Sequence, residues 1–409
     1  MKNQYVLLSR SLGIPNFQTF DDFAKAIGLS KRLLFLLTTE TERFYSKREI
    51  PKRNGGIRLL HCPSYTLKTT QKWVLRNILD KVAPSPYAVA FRKKKEDSQA
   101  VGIKSNAQYH ANALYGLSID LSDFFPSIHA NQVFQVFRSI GYSNTACTIL
   151  TRLCTLDDKL PQGAVCSPAL SNLVCISMDN RLFGLCSKRG VFYTRYADDM
   201  YFSCDDKGLL KKLFPIIKKI IEEQGFRINE EKFHYQTPKG KKLITGVLVA
   251  KNKDAIELKA QKALKRKIRA EIFRCVMSGN YENAAHIKGE IEFVSYIQGG
   301  NRQDYKSSII AYLDRTAKKI VRFPELVNEY NSHLFYKNDQ HLVKSLPVSE
   351  ERVENDEEAE VLFAELEYAY SERKAYLDKH QLHDICKYEG WPDFEKSEEH
   401  DENSDDAPF

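Results

Sequence analysis

The sequence predicts a mixed α/β chain of the α+β kind, and three observations carry that expectation. Two strand-like runs, YGLSIDL at 115–121 and FYTRYADDMYFSC at 192–204, alternate with segments whose apolar residues recur at helical spacing. A basic helical pattern opens with KALKRKIR and extends from 257 to about 320. Beyond residue 340 the composition turns acidic.

Taken in order, residues 1 to about 45 read as helical around FDDFAKAIGL and KRLLFLL. Two short strand-like pieces then flank Asn54-Gly55-Gly56 in REIPKRNGGIRLLHCP, a hairpin carrying Arg48, Lys52, Arg53 and Arg58. Residues 64–83 return to helix, 115–121 form a strand, and a helix is expected over about 129–139. Pro161-Gln162-Gly163 makes a turn, and a helix starts near Pro168, proline being tolerated in a first turn. A second hairpin spans 192–204, followed by a helix over 206–224 and the strand KKLITGVLVA. EEAEVLFAELEYAYSERKAYL is amphipathic enough for one more helix, whereas the tail from about 394 has the charge and low apolar content of a disordered segment.

Composition narrows the function classes. With 43% hydrophobic and 28% charged residues over 409 positions, the chain has enough apolar surface for two or three cores. Its longest apolar stretches, LLFLL and FPIIKKII, are too short or too interrupted to cross a bilayer, so no membrane role is expected. Nine cysteines without CxxC pairs or Cys/His ligand spacing indicate neither a zinc site nor a disulfide framework, which fits a reducing cytoplasm. The net charge of +8 conceals a strong asymmetry: residues 341–409 hold 7 basic and 21 acidic side chains, leaving +22 on residues 1–340. A body that basic suits a polyanionic partner such as nucleic acid.

The chemistry centres on Asp198 and Asp199. Strand interiors disfavour aspartate and adjacent like charges repel, so the pair belongs at a hairpin tip, beside cations, or both. Asp120, at the end of YGLSIDL, supplies a third carboxylate. One carboxylate at a strand end and two at a hairpin tip can meet on one sheet edge. There they would hold a pair of divalent cations about 3.5–4 Å apart, the arrangement that clamps attacking and leaving oxygens in phosphoryl transfer. Magnesium suits such an all-oxygen site.

The order of these segments resembles reverse transcriptases. YADD at 196–199 is similar to the family's catalytic motif, and SIDLSDFFPSI at 118–128 to the motif carrying the first metal-binding aspartate. LPQGAVCSPALSNL at 160–173 resembles the intervening motif, and EIPKRNGGIRLLHCP the fingers hairpin. NAQYH at 106–110 and ITG at 244–246 resemble the Asn-Ala-x-x-His and Val-Thr-Gly elements of bacterial retron enzymes, with isoleucine in place of valine. Group II intron enzymes fit less well, since no maturase or endonuclease segment follows. Diversity-generating enzymes fit less well too, because they depart from the Gln-Gly seen at 162–163.

The resemblance implies a right-hand polymerase. An N-terminal helical segment (1–47) would precede fingers (48–115), palm (116–250) and a basic helical thumb (251–325), with an acidic extension over 326–409. It implies metal binding by Asp120, Asp198, Asp199 and the carbonyl of Leu121, and proton donation to the leaving pyrophosphate by Lys232. Phe125 would exclude ribonucleotides, Gln162 would lie against nucleotide or template, and Lys52 and Arg58 would grip the triphosphate. Arg48 and Arg53 are equally well read as solvated hairpin charges. Lys265, Arg266 and Lys267 would track RNA. Asn106 and His110 would bind RNA or buttress the palm, roles the sequence leaves open. The implied reaction copies a cognate noncoding RNA, which supplies template and primer, from deoxynucleoside triphosphates with Mg2+. Its branched RNA-linked DNA would act with an effector protein in anti-phage defence. The alternatives are a defence polymerase with another priming route and a catalytically idle RNA-binding scaffold.

Overall fold

A computed structural model describes residues 13–51, 55–92, 101–252, 255–298 and 302–332. Lys52, Arg53, residues 1–12 of the helical N-terminal reading, the expected helix in the acidic extension and the acidic tail lie outside these residues. The chain divides into two compact units, residues 1–261 and 262–409.

In the first unit, α1 (Phe20–Ile27) and α2 (Lys31–Thr39) account for the helical N-terminal reading. Thr19 caps α1 by accepting from the Asp22 amide, while the Asp22 carboxylate accepts from the Thr19 amide. β1 (Tyr45–Pro51) and β2 (Ile57–Pro63) form the basic hairpin, and α3 (Tyr65–Asn77) follows it. α4 (Ile103–Tyr109) leads into β3 (Tyr115–Ser122), and then come α5 (Ala130–Ile140) and α6 (Asn144–Cys154). α7 (Ser167–Val174) carries Pro168 in its first turn and runs into α8 (Ile176–Ser187). β4 (Phe192–Tyr196) and β5 (Asp199–Cys204) are the second hairpin, followed by α9 (Leu209–Glu223) and the short β6 (Arg227–Ile228) and β7 (His234–Gln236).

The main sheet has the order β4-β5-β3-β6, with β7 also on β3, and every pairing is antiparallel. Strand alternation decides what each face carries. Leu117, Ile119 and Leu121 of β3, Met200 and Phe202 of β5, and Tyr193 and Arg195 of β4 share the face buried in the main core. The opposite face carries Ser118 and Asp120 of β3, Asp199, Tyr201 and Ser203 of β5, and Thr194 of β4.

Two expectations change here. The single strand read over KKLITGVLVA is two, β8 (Lys242–Ile244) and β9 (Val247–Asn252), because Thr245 and Gly246 adopt left-handed φ values of 48° and 81° and turn the chain. The helical pattern expected from 257 begins later, since β10 (Ala255–Lys259) pairs with β9 and closes a second sheet within the first unit.

The second unit comprises α10 (Lys262–Ser278), α11 (Ala284–Gln298), α12 (Arg302–Ala317) and α13 (Pro324–Ser332). Ile268, Ile272 and Val276 recur every fourth residue on α10 and are buried in this unit, as are Ile287, Ile291 and Val294 of α11.

Candidate active site

The β4–β5 connection is a two-residue loop, Ala197-Asp198, closed by the pairing of Tyr196 with Asp199. Ala197 takes φ 57°, the positive value that primed hairpin turns require at their first central residue. Across the sheet Asp199 lies directly opposite Asp120, and the Leu121 amide donates to the Asp198 carbonyl at 3.1 Å. The hairpin tip is thereby fastened to the strand end carrying the third carboxylate. All three aspartates meet on one sheet edge.

Few cations oppose them. Lys232 donates to both oxygens of Asp120 at 3.1 Å, and Asn229 donates to its Oδ2 at 3.3 Å. Asp120 is itself buried. Burial, then the neighbouring Asp198 and Asp120, push the Asp199 carboxyl up to about 7. Burial raises Asp198 as well, partly offset by Lys232 and Arg58. Arg58 is therefore within electrostatic reach of the Ala197-Asp198 turn although it sits exposed on β2. Among the described residues no three His, Cys, Asp or Glu side chains are already drawn tightly enough to enclose an ion. The donors nonetheless fit one: they are all oxygens, crowded into a partly buried edge where their mutual repulsion is under-compensated.

Phe125 is half-buried, its ring 5.4 Å from Phe124 and 6.2 Å from the exposed Phe91. Gln162 accepts the His61 amide through its carbonyl at 2.8 Å, docking the turn on β2. Gly163 follows with φ 115°, where a Cβ would come within 2.7 Å of the His61 carbonyl, so only glycine fits. A cavity of about 170 Å³ opens beside Asp199, lined by Ser118, Tyr201, Leu243 and Thr245 among others.

Asn106 and His110 are not on a surface that RNA could reach. His110 is fully buried, with Nδ1 2.7 Å from Ser203 Oγ and Nε2 2.8 Å from Thr194 Oγ1. Thr194 donates on to Asn106 at 2.6 Å, and Asn106 donates to Thr245 Oγ1 at 2.7 Å. Of the two roles the sequence left open, this burial favours buttressing the palm over binding RNA, because their polar atoms are spent inside the protein. The two retron-like elements are joined by one hydrogen bond, Asn106 to Thr245.

Burial, reinforced by Lys242, pulls the His110 imidazole down to about 3, so it folds neutral but charges freely when unfolded. Its contribution to stability is then complete above pH 6.5 and is lost as pH falls. By pH 5 the loss should reach about 2 kcal/mol. Urea unfolding of the parent and His110→Gln between pH 7 and 5 checks this: the parent's steeper decline should be missing from the variant.

In the second unit, Lys267 is engaged by Glu290 at 2.7 Å and Glu271 at 3.4 Å, which neutralises much of the charge expected to meet RNA. Lys265 lies 5.4 Å from the Tyr305 ring, and Arg266 is exposed. Sequence reasoning did not single out Asn229 or Arg195. Asn229 gives no signal by type, but Arg195, a charge inside an apolar strand, is anomalous by itself.

Residues 50–267, more than half the chain, match the family described as reverse transcriptase (RNA-dependent DNA polymerase). The chain is 33% identical over 317 residues to the retron Ec86 reverse transcriptase of Escherichia coli, spanning 77% of this chain and 94% of the relative. It is 32% identical over 308 residues to the retron Mx65 reverse transcriptase of Myxococcus xanthus, spanning 70% of each. Among solved structures, apo telomerase from Candida tropicalis is similar at a TM-score of 0.41 and 11% identity, over 81% of this chain and 66% of that one. On the family match and the identity to retron enzymes, the chain belongs to the retron-type reverse transcriptases, right-hand polymerases that copy RNA into DNA.

Proposed function

We propose that this enzyme copies a cognate structured noncoding RNA into branched, RNA-linked single-stranded DNA in the bacterial cytoplasm, and that the product serves anti-phage defence together with an effector protein. The observation that carries the catalytic part is the facing of Asp120 and Asp199 with Asp198 in the adjoining turn. Asp120, Asp198, Asp199 and the Leu121 carbonyl would hold Mg2+, which neutralises developing charge on the phosphate and lowers the pKa of the attacking hydroxyl. Lys232, which donates to Asp120, would give a proton to the departing pyrophosphate. Arg58 offers a planar fork to the triphosphate oxygens, and Gln162 is fixed against the fingers by its backbone. Fingers, palm and thumb are assigned to 48–115, 116–250 and 251–325. The retron part draws support from the Asn106–Thr245 bond, which makes the two retron-like elements one structural unit.

Phe125 is proposed to stack beneath the incoming sugar. Phe125→Ala should admit ribonucleotides, raising their incorporation relative to deoxynucleotides by about 10²-fold, on the scale that misfit costs in other tight sites. Single-nucleotide competition assays check this, and an unchanged ratio removes the gate from Phe125.

The function is tested by sequencing nucleic acid that copurifies with the protein, before and after debranching. A DNA joined 2′–5′ to one RNA species is expected. Linear DNA with no RNA branch would favour another priming route, and RNA without DNA would favour the scaffold.

A further inference from the structure

Arg195 is fully buried, and so is its partner Asp179 on α8. Burying two charges is costly, and an apolar pair of similar volume often serves stability as well or better. The arrangement is therefore better explained by what the guanidinium does with its remaining donors. Nε and Nη2 donate to the two Asp179 oxygens at 2.9 and 2.8 Å. Nη1 donates to the Asn172 side chain at 3.2 Å and to the carbonyl of Ala197 at 3.1 Å. Ala197 is the left-handed residue immediately before Asp198.

The orientation of the fork is itself fixed. Tyr193 donates to Asp179 Oδ1 at 2.8 Å, Asn172 donates to the Ala90 carbonyl at 2.9 Å, and the guanidinium lies 6.0 Å from the ring of Phe124, next to Phe125. Main-chain bonds from Arg195 to Tyr87 and from Val89 to Arg195 pin the strand edge on the same side. Three sequence motifs thus converge on one side chain: α7 through Asn172, the Asp120 loop through Phe124, and the catalytic turn through Ala197.

We propose that Arg195 is a positioning residue that locks the Ala197-Asp198 turn from beneath, holding the hairpin carboxylates opposite Asp120. One planar guanidinium serves both Asp179 oxygens and the Ala197 carbonyl at once, a fixed set of donors that neither a lysine point charge nor an apolar side chain reproduces. It holds a non-glycine residue in a left-handed conformation that such residues rarely adopt. The proposal rests on Asp198 and Asp199 being the catalytic carboxylates.

The test compares two variants with the parent and with Asp198→Asn/Asp199→Asn. Arg195→Lys keeps a charge on Asp179 but removes the fork. Arg195→Met/Asp179→Leu/Tyr193→Phe replaces the buried polar set with apolar side chains. Single-turnover extension on an RNA template should slow about 10²-fold in each, the scale of a misplacement near 1 Å, while the deoxynucleotide Kd stays at the parent value. A role confined to stability would lower the melting temperature and leave the rate of folded protein intact. Either variant folding with the parent's rate overturns the proposal, as does failure of both to fold. If one fails to fold, the other decides. Should the Asp198→Asn/Asp199→Asn protein itself stay active, the underlying catalytic assignment fails instead.

Discussion

Changing Asp198 and Asp199 together to asparagine should abolish primer extension on RNA while leaving the melting temperature of the metal-free protein unchanged or raised. Asp199 faces Asp120 with Asp198 in the adjoining turn, and burial, reinforced by the two neighbouring carboxylates, already pushes Asp199 up to about 7. Asparagine keeps the shape and removes the charge, so the folded state is relieved of an electrostatic cost. Catalysis loses what that cost sustains. Divalent cations contribute several kcal/mol of transition-state stabilisation, and each ~1.4 kcal/mol is a factor of ten, so a fall of at least about 10³-fold is expected. Primer extension together with a thermal melt checks both halves. A variant that is inactive only because it is unfolded would contradict this account.

Lys232→Met should slow the chemical step by about 10² to 10⁴, the usual range for a lost general acid, with little change in deoxynucleotide affinity. The ammonium donates to both oxygens of Asp120 although the side chain itself is exposed. Arg58, proposed to grip the triphosphate, lies on another element and is untouched by the substitution. Rapid-quench kinetics separate the two effects. A weakened Kd at an unchanged rate would make Lys232 a binding residue. Methionine also removes the cation that both oxygens of buried Asp120 accept from, so the metal-free variant should melt below the parent.

Much of the site was legible because its logic is local. The hairpin around Asp198 and Asp199 announces itself through strand-forming residues on both sides of two ill-suited carboxylates, and strand alternation places Asp120 on the matching face. The Pro161-Gln162-Gly163 turn was legible for the same reason. What escaped was long-range. Nothing in NAQYH tells that His110 would lie between Thr194 and Ser203 instead of facing RNA, since those partners are 84 and 93 residues away in sequence. The turn at Thr245-Gly246 was missed because LITGVLVA is apolar on both sides of that dipeptide, and threonine at φ 48° carries no compositional signal. Lys267 was assigned to RNA on charge, without sight of Glu290 on the next helix. Arg195 shows the limit from the other side: its oddness was visible, but its meaning required Asp179, Asn172 and Ala197 to be brought around it.

The central claim is that three carboxylates on one sheet edge hold the catalytic cations. Manganese binding followed by electron paramagnetic resonance, with primer, RNA template and a non-extendable deoxynucleotide present, tests it most directly. The account predicts tight binding of the ion to the parent and its loss in Asp198→Asn/Asp199→Asn, at equal nucleic-acid occupancy. Equal manganese affinity in the two proteins would contradict it.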